Sequence, residues 1–77
     1  MKILNYKILL KKEPEGGFAV FVPSLPGCIT YGDKLDEAIE KAKEAIELYI
    51  ESLKAHCEEI PTGENLLEYT LSVDINV

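Results

Sequence analysis

Apolar and polar residues alternate along the first dozen positions. Leu4, Tyr6, Ile8 and Leu10 fall on one side, and Ile3, Asn5, Lys7, Leu9 and Lys11 on the other. A period of two predicts a strand with one buried face, here from Lys2 to Lys12. Glu13-Pro14-Glu15-Gly16-Gly17 is a turn by composition. Phe18-Ala19-Val20-Phe21-Val22 is a short, almost wholly apolar strand, and the two runs with a glycine turn between them predict a hairpin. Pro23-Ser24-Leu25-Pro26-Gly27 excludes regular structure and predicts a rigid loop, because its prolines fix φ and lack an N–H. Cys28-Ile29-Thr30-Tyr31 is a third short strand, closed by Gly32-Asp33.

The period then changes. From Leu35 to Ala55 an apolar stripe recurs at helical spacing: Leu35, Ala38, Ile39, Ala42, Ala45, Ile46, Tyr49, Ile50 and Leu53. Glu37, Glu40, Lys41, Lys43, Glu44, Glu47 and Glu51 fill the opposite side, and no Gly or Pro interrupts the run. Asp33 is the expected N-cap, with Asp36 adding negative charge to the first turn. Glu37 and Lys41 stand in the favourable i,i+4 order. After a loop at Glu58–Gly63, Leu67, Tyr69, Leu71, Val73, Ile75 and Val77 alternate with Glu68, Thr70, Ser72, Asp74 and Asn76, which predicts a fourth, half-buried strand.

The resulting expectation is an α+β fold of order β-β-β-α-β. It has one mixed four-stranded sheet, strand order 3-2-1-4, with one helix packed on one face. A right-handed crossover would bring strand four parallel to strand one.

One helix covers one face of a sheet. The other face would carry Ile3 and Leu9, strand two offers apolar side chains both ways (Phe18, Val20 and Val22 in one direction, Ala19 and Phe21 in the other), and Leu48 lies between the charged and apolar flanks of the helix. Contiguous exposed apolar surface on a small protein marks an interaction site. Strand four, long and free of proline, would also be an open edge that a symmetric dimer could close. A homo-oligomer or a stable protein partner is therefore expected. The positions singled out for partner binding are Phe21, Pro23, Leu25 and Tyr31, around the proline-rich loop.

Composition narrows the function classes. Seventy-seven residues suffice for a single domain spanning 1–77, whose own core is small. Fourteen acidic residues face eight basic ones, for a net charge of −6. That field repels phosphate and attracts basic partners, so direct nucleic-acid binding is not expected. No C-x-x-C spacing is present, and no metal or cofactor is expected. Met1 leads directly into a strand-like run with no apolar stretch of membrane-spanning length, so no membrane association and a cytoplasmic location are expected.

Catalytic chemistry finds little support. The single histidine, His56, lies at the expected helix end, where it would complement the dipole. Its neighbour Cys57 points elsewhere on a helix. Cys28 reads as a small core residue. Asp33, Asp36 and Asp74 are the candidate carboxylates for metal-dependent cleavage, and they form no convergent set. The glycines match no phosphate-binding motif.

Gly16-Gly17-Phe18, then Pro23-Ser24-Leu25-Pro26-Gly27-Cys28, then Gly32-Asp33-Lys34-Leu35-Asp36-Glu37-Ala38 and the helical Ala45-Ile46-Glu47-Leu48-Tyr49 together resemble the HicB-like antitoxins of prokaryotic toxin–antitoxin pairs. The resemblance covers essentially the whole chain. It implies a truncated ribonuclease-H-like fold without nuclease activity. It also implies a type II antitoxin that masks a small basic HicA-type toxin, an mRNA-cleaving ribonuclease with a catalytic histidine. Lys34 stands where family members often carry Thr. Many members continue into a DNA-binding domain, whereas this sequence ends at Val77 after the expected fourth strand, so promoter binding is not carried over. Two alternatives stay open: an orphan homo-oligomeric module without a toxin, and a degenerate ribonuclease-H-like nuclease.

Overall fold

A computed structural model of the chain describes residues 3–76. Three antiparallel strands, β1 (Leu9–Lys12), β2 (Phe18–Phe21) and β3 (Ile29–Gly32), form one sheet of order β1-β2-β3, followed by a helix, α1 (Leu35–Ala55). The helix has the bounds that its apolar period predicts. The hairpin register pairs Leu9 with Phe21 and Lys12 with Phe18. β3 continues it, pairing Phe18 with Gly32 and Phe21 with Ile29.

Two expectations about the strands are corrected. β1 is much shorter than the alternating run, because its partner ends at Phe21. Beyond Val22, Pro23 has no N–H to offer a ladder, and the chain peels away into the loop. Residues before Leu9 are therefore left without ladder partners. Tyr6 and Ile8 still pack against the core.

The second correction concerns the sheet. The mixed four-stranded arrangement of order 3-2-1-4 is not formed, since residues 64–76 carry no strand. Residues 60–63 cross over the N-terminal segment. Gly63 is buried against it, so close that a Cβ there would lie 2.7 Å from the Asn5 carbonyl oxygen. The Tyr6 hydroxyl donates to the Pro61 carbonyl at 2.6 Å, and burial pushes that phenol's pKa up. After a turn in which Leu66 N–H donates to the Gly63 carbonyl, the chain leaves the domain. Strand propensity expresses fit to a half-buried pleated surface, and this tail lies on none. Its departure accounts for a radius of gyration of 14.9 Å, against about 11–12 Å for a compact chain of this length.

The helix packs on the sheet through small residues. Val20, Ala38 and Ala42 are fully buried together, with Ile8 and Phe18 against them. A second cluster of Val22, Leu25 and Cys28 is closed by Tyr6, Ile8, Ala45, Ile46 and Tyr49. Burial raises the pKa of the Cys28 thiol, so its reactive thiolate is disfavoured.

The helix ends also depart from expectation at one point. Lys34, not Asp33, is the N-cap residue, and no side chain caps the first turn. Lysine carries no acceptor. The Glu37 N–H instead donates to Asp36 Oδ1 at 3.0 Å. Lys41 and Glu37 form the expected ion pair at 3.2 Å on the exposed face, a geometry worth about 0.3–0.5 kcal/mol.

At the C-terminus His56 caps the helix, and its imidazole Nδ1–H donates to the Ser52 carbonyl at 2.8 Å. Cys57 follows with φ +55°, its N–H donating to Lys54 and that of Glu58 to Leu53. This is the Schellman arrangement, which glycine usually completes. Cys57→Gly is therefore expected to stabilise the domain by about 1 kcal/mol, since a left-handed non-glycine residue costs roughly that much. A thermal melt should show the midpoint rising by roughly 4–8 °C; an unchanged or lower midpoint would remove the claim of strain.

Candidate protein-binding face

Side chains alternate across a strand, so the pleat sorts the sheet into two faces. Phe18 and Val20 turn toward the helix. Ala19 and Phe21 therefore turn away, and the register places Leu9 and Ile29 beside Phe21, and Lys11 and Tyr31 beside Ala19. Leu9–Phe21–Ile29 forms one apolar rung across all three strands. Leu9 is 46% exposed, Ile29 48% and Tyr31 63%. No element of the described fold covers this face: the contacts of α1 are with the other side of β2 and with β3.

The proline-rich loop at one end of the rung is held firmly. Val22 N–H donates to Cys28 O at 3.2 Å, Leu25 N–H to Val22 O and Cys28 N–H to Leu25 O, both at 3.0 Å. The Tyr49 hydroxyl donates to the Pro26 carbonyl at 2.8 Å, tying the loop to the helix. Gly27, at φ +79°, makes the return turn that a side chain would strain.

The structure places the four sequence-derived binding positions differently. Phe21 and Tyr31 lie on the open face, on neighbouring strands. Phe21 is half-buried. Pro23 is exposed just beyond the end of β2. Leu25 is 0% exposed and turns into the second core cluster, so it holds the loop in shape. Ile29 was missed, although its spacing two before Tyr31 signals a shared face. Leu9 was assigned to this face without being singled out.

The charged surface is elsewhere. Glu40, Glu44, Glu47 and Glu51 are exposed on α1, which lies on the opposite layer from the open rung. A basic partner would feel that field at a distance and meet the apolar rung in contact. Asp33 and Asp36 stand at the start of the helix and Asp74 in the departing tail. Among the described residues, no three His, Cys, Asp or Glu side chains are grouped to hold a metal ion. Among the same residues, no helix is long and apolar enough to cross a membrane.

Comparison with known proteins matches residues 6–75 to the family described as HicB_like antitoxin of bacterial toxin-antitoxin system. UPF0150 protein ssr1765 of Synechocystis is 49% identical over 72 residues, covering 94% of this chain and 90% of that protein. UPF0150 protein Ta0767 of Thermoplasma acidophilum is 46% identical over 68 residues, covering 88% and 97%. Antitoxin HicB 1 of Photorhabdus laumondii is 32% identical, covering 95% of this chain and 50% of that protein.

Proposed function

The chain belongs to the HicB-like antitoxin family, and from that membership we propose that it is a non-catalytic, cytoplasmic protein-binding domain that masks a small basic toxin of the HicA type. The observation that carries this reading is the uncovered rung Leu9–Phe21–Ile29 with Tyr31 beside it. It is flat, apolar and flanked by a loop that three backbone hydrogen bonds hold in place. A preorganised surface of this kind loses little entropy on docking. Aromatic anchors such as Phe21 and Tyr31 concentrate binding energy, with Pro23 at the edge of the patch. The net charge of −6 would speed encounter with a cationic partner. Nucleic acid has no part in this reading, because the same field opposes phosphate.

The test pairs this protein with a short, basic, His-containing protein encoded beside its gene, the neighbour that this reading requires. RNA cleavage by that neighbour should cease at stoichiometric addition. Tyr31→Asp with Ile29→Asp should weaken the complex by about 100-fold or more, as expected for losing central apolar contacts and burying charge. The melting temperature should change little, because both side chains are exposed. Cleavage that persists at excess antitoxin, or a double variant that binds normally, would defeat the proposal. The orphan homo-oligomer draws support from a separate feature, the unburied tail.

A further inference from the structure

The molecule holds two unsatisfied apolar surfaces away from the sheet's open face. One is the tail. Leu67, Tyr69, Leu71, Val73 and Ile75 are between 74% and 89% exposed, and they alternate with Glu68, Thr70, Ser72, Asp74 and Asn76. An extended segment with this period presents all five on one side. The other is a groove of about 1020 Å³ between the N-terminal segment and the helix. Leu4, Tyr6 and Ile8 form one wall, Ile39, Ile46 and Ile50 the other, and Lys43, Glu47, Glu51 and Lys54 stand at its rim.

We infer that the tail of one copy seats its apolar face in the helix-side groove of a second copy, and that the exchange is reciprocal. The fit rests on three matches. Residues 67–75 in extended form span about 26 Å, and the groove wall from Ile39 to Lys54 runs about 22 Å along the helix axis. The tail has one apolar and one polar side, as a groove open on one side requires. Burying a large aliphatic side chain removes roughly 60–120 Å² from water. Five such side chains, the walls they cover and the symmetric copy together reach the 1,200–2,000 Å² typical of stable complexes. The tail carries only acidic charges, Glu68 and Asp74, and the rim is balanced between Lys43 and Lys54 and Glu47 and Glu51, so the two lysines are what keeps it from repelling the tail.

A reciprocal exchange closes with two-fold symmetry and leaves neither groove nor tail exposed. It uses neither the sheet's open face nor a fourth strand in the chain's own sheet. It is independent of toxin binding, and either reading can fail without the other.

Light scattering on the full chain at micromolar concentration should give a dimer. Leu71→Asp with Ile75→Asp should give a monomer with an unchanged helical circular dichroism signal, because those side chains are 77% and 75% exposed. Lys43→Glu with Lys54→Glu, both exposed and safe for folding, should weaken the dimer at least tenfold. Mixing the tail variant with a groove variant, Ile50→Glu, should give a heterodimer that neither forms alone. A monomeric wild type overturns the inference. So does a dimer that survives the tail substitutions, or one indifferent to the rim charges, which would signal tail-to-tail edge pairing.

Discussion

Gly32→Ala is expected to destabilise the domain by about 2–3 kcal/mol, the cost of forcing a methyl group into a closed contact. A Cβ at Gly32 would lie 2.5 Å from both the N and Cα of Ala38 and 2.9 Å from its Cβ. Two of those three atoms are helix backbone, so no rotamer change relieves the clash. The helix would have to lift from β3, which would open the buried Val20–Ala38–Ala42 cluster. A chain of this length has about 4–12 kcal/mol of stability in total, and the melting temperature should fall by roughly 10–20 °C. Gly16→Ala is the control. Gly16 sits at φ +105° with no atom within 4 Å of the added carbon, so only backbone strain, costing about 1 kcal/mol, is added there. Equal melting temperatures for the two variants would mean that the helix does not rest on the sheet as closely as described.

Leu25→Ala is expected to cost about 2–5 kcal/mol, the range for emptying a buried leucine site. Leu25 is wholly enclosed with Val22 and Cys28 beneath the proline-rich loop. The three loop hydrogen bonds and the Tyr49–Pro26 tie depend on that plug for their geometry. Denaturant unfolding should therefore show a large fall in midpoint, and binding of the proposed toxin partner should weaken through loss of loop shape. Tyr31→Asp with Ile29→Asp is expected to give the complementary result, with binding lost and stability kept. If Leu25→Ala left stability untouched and removed binding alone, Leu25 would be a contact residue, and the loop's rigidity would have another source.

These variants also show which parts of the fold are legible in the residues. The helix was, because twenty-one positions repeat one apolar period without a breaker. The hairpin and third strand were, because glycine and proline punctuate them. The length of β1 was not. Its alternation continues to Ile3, but ladder length is set by the partner, and β2 stops at Phe21. The fourth strand was not, because alternation states how a segment could be buried and says nothing of where a free edge lies. The cap was misplaced by one residue for a related reason: Asp33 has the right chemistry, but Lys34 occupies the extended position that precedes the first turn. Within the candidate site, Phe21 and Tyr31 are grouped by their nearness to the proline-rich loop. Leu25 is grouped with them by the same nearness, whereas the backbone bonds of Val22, Leu25 and Cys28 turn it inward.

The hydrogen bond from Tyr6 to Pro61 joins residues 55 positions apart. The hairpin register, by contrast, joins Leu9 to Phe21, twelve apart. Closing the longer loop costs about 1.3 kcal/mol more in chain entropy than closing the shorter one. Its enthalpic return is a single hydrogen bond and the close seating of Gly63. Every residue of the sheet and the helix precedes Pro61 in the chain. The clasp between the N-terminal segment and residues 61–63 thus encloses the whole sheet and helix in one loop, and it closes only when both are already in place to shorten that loop.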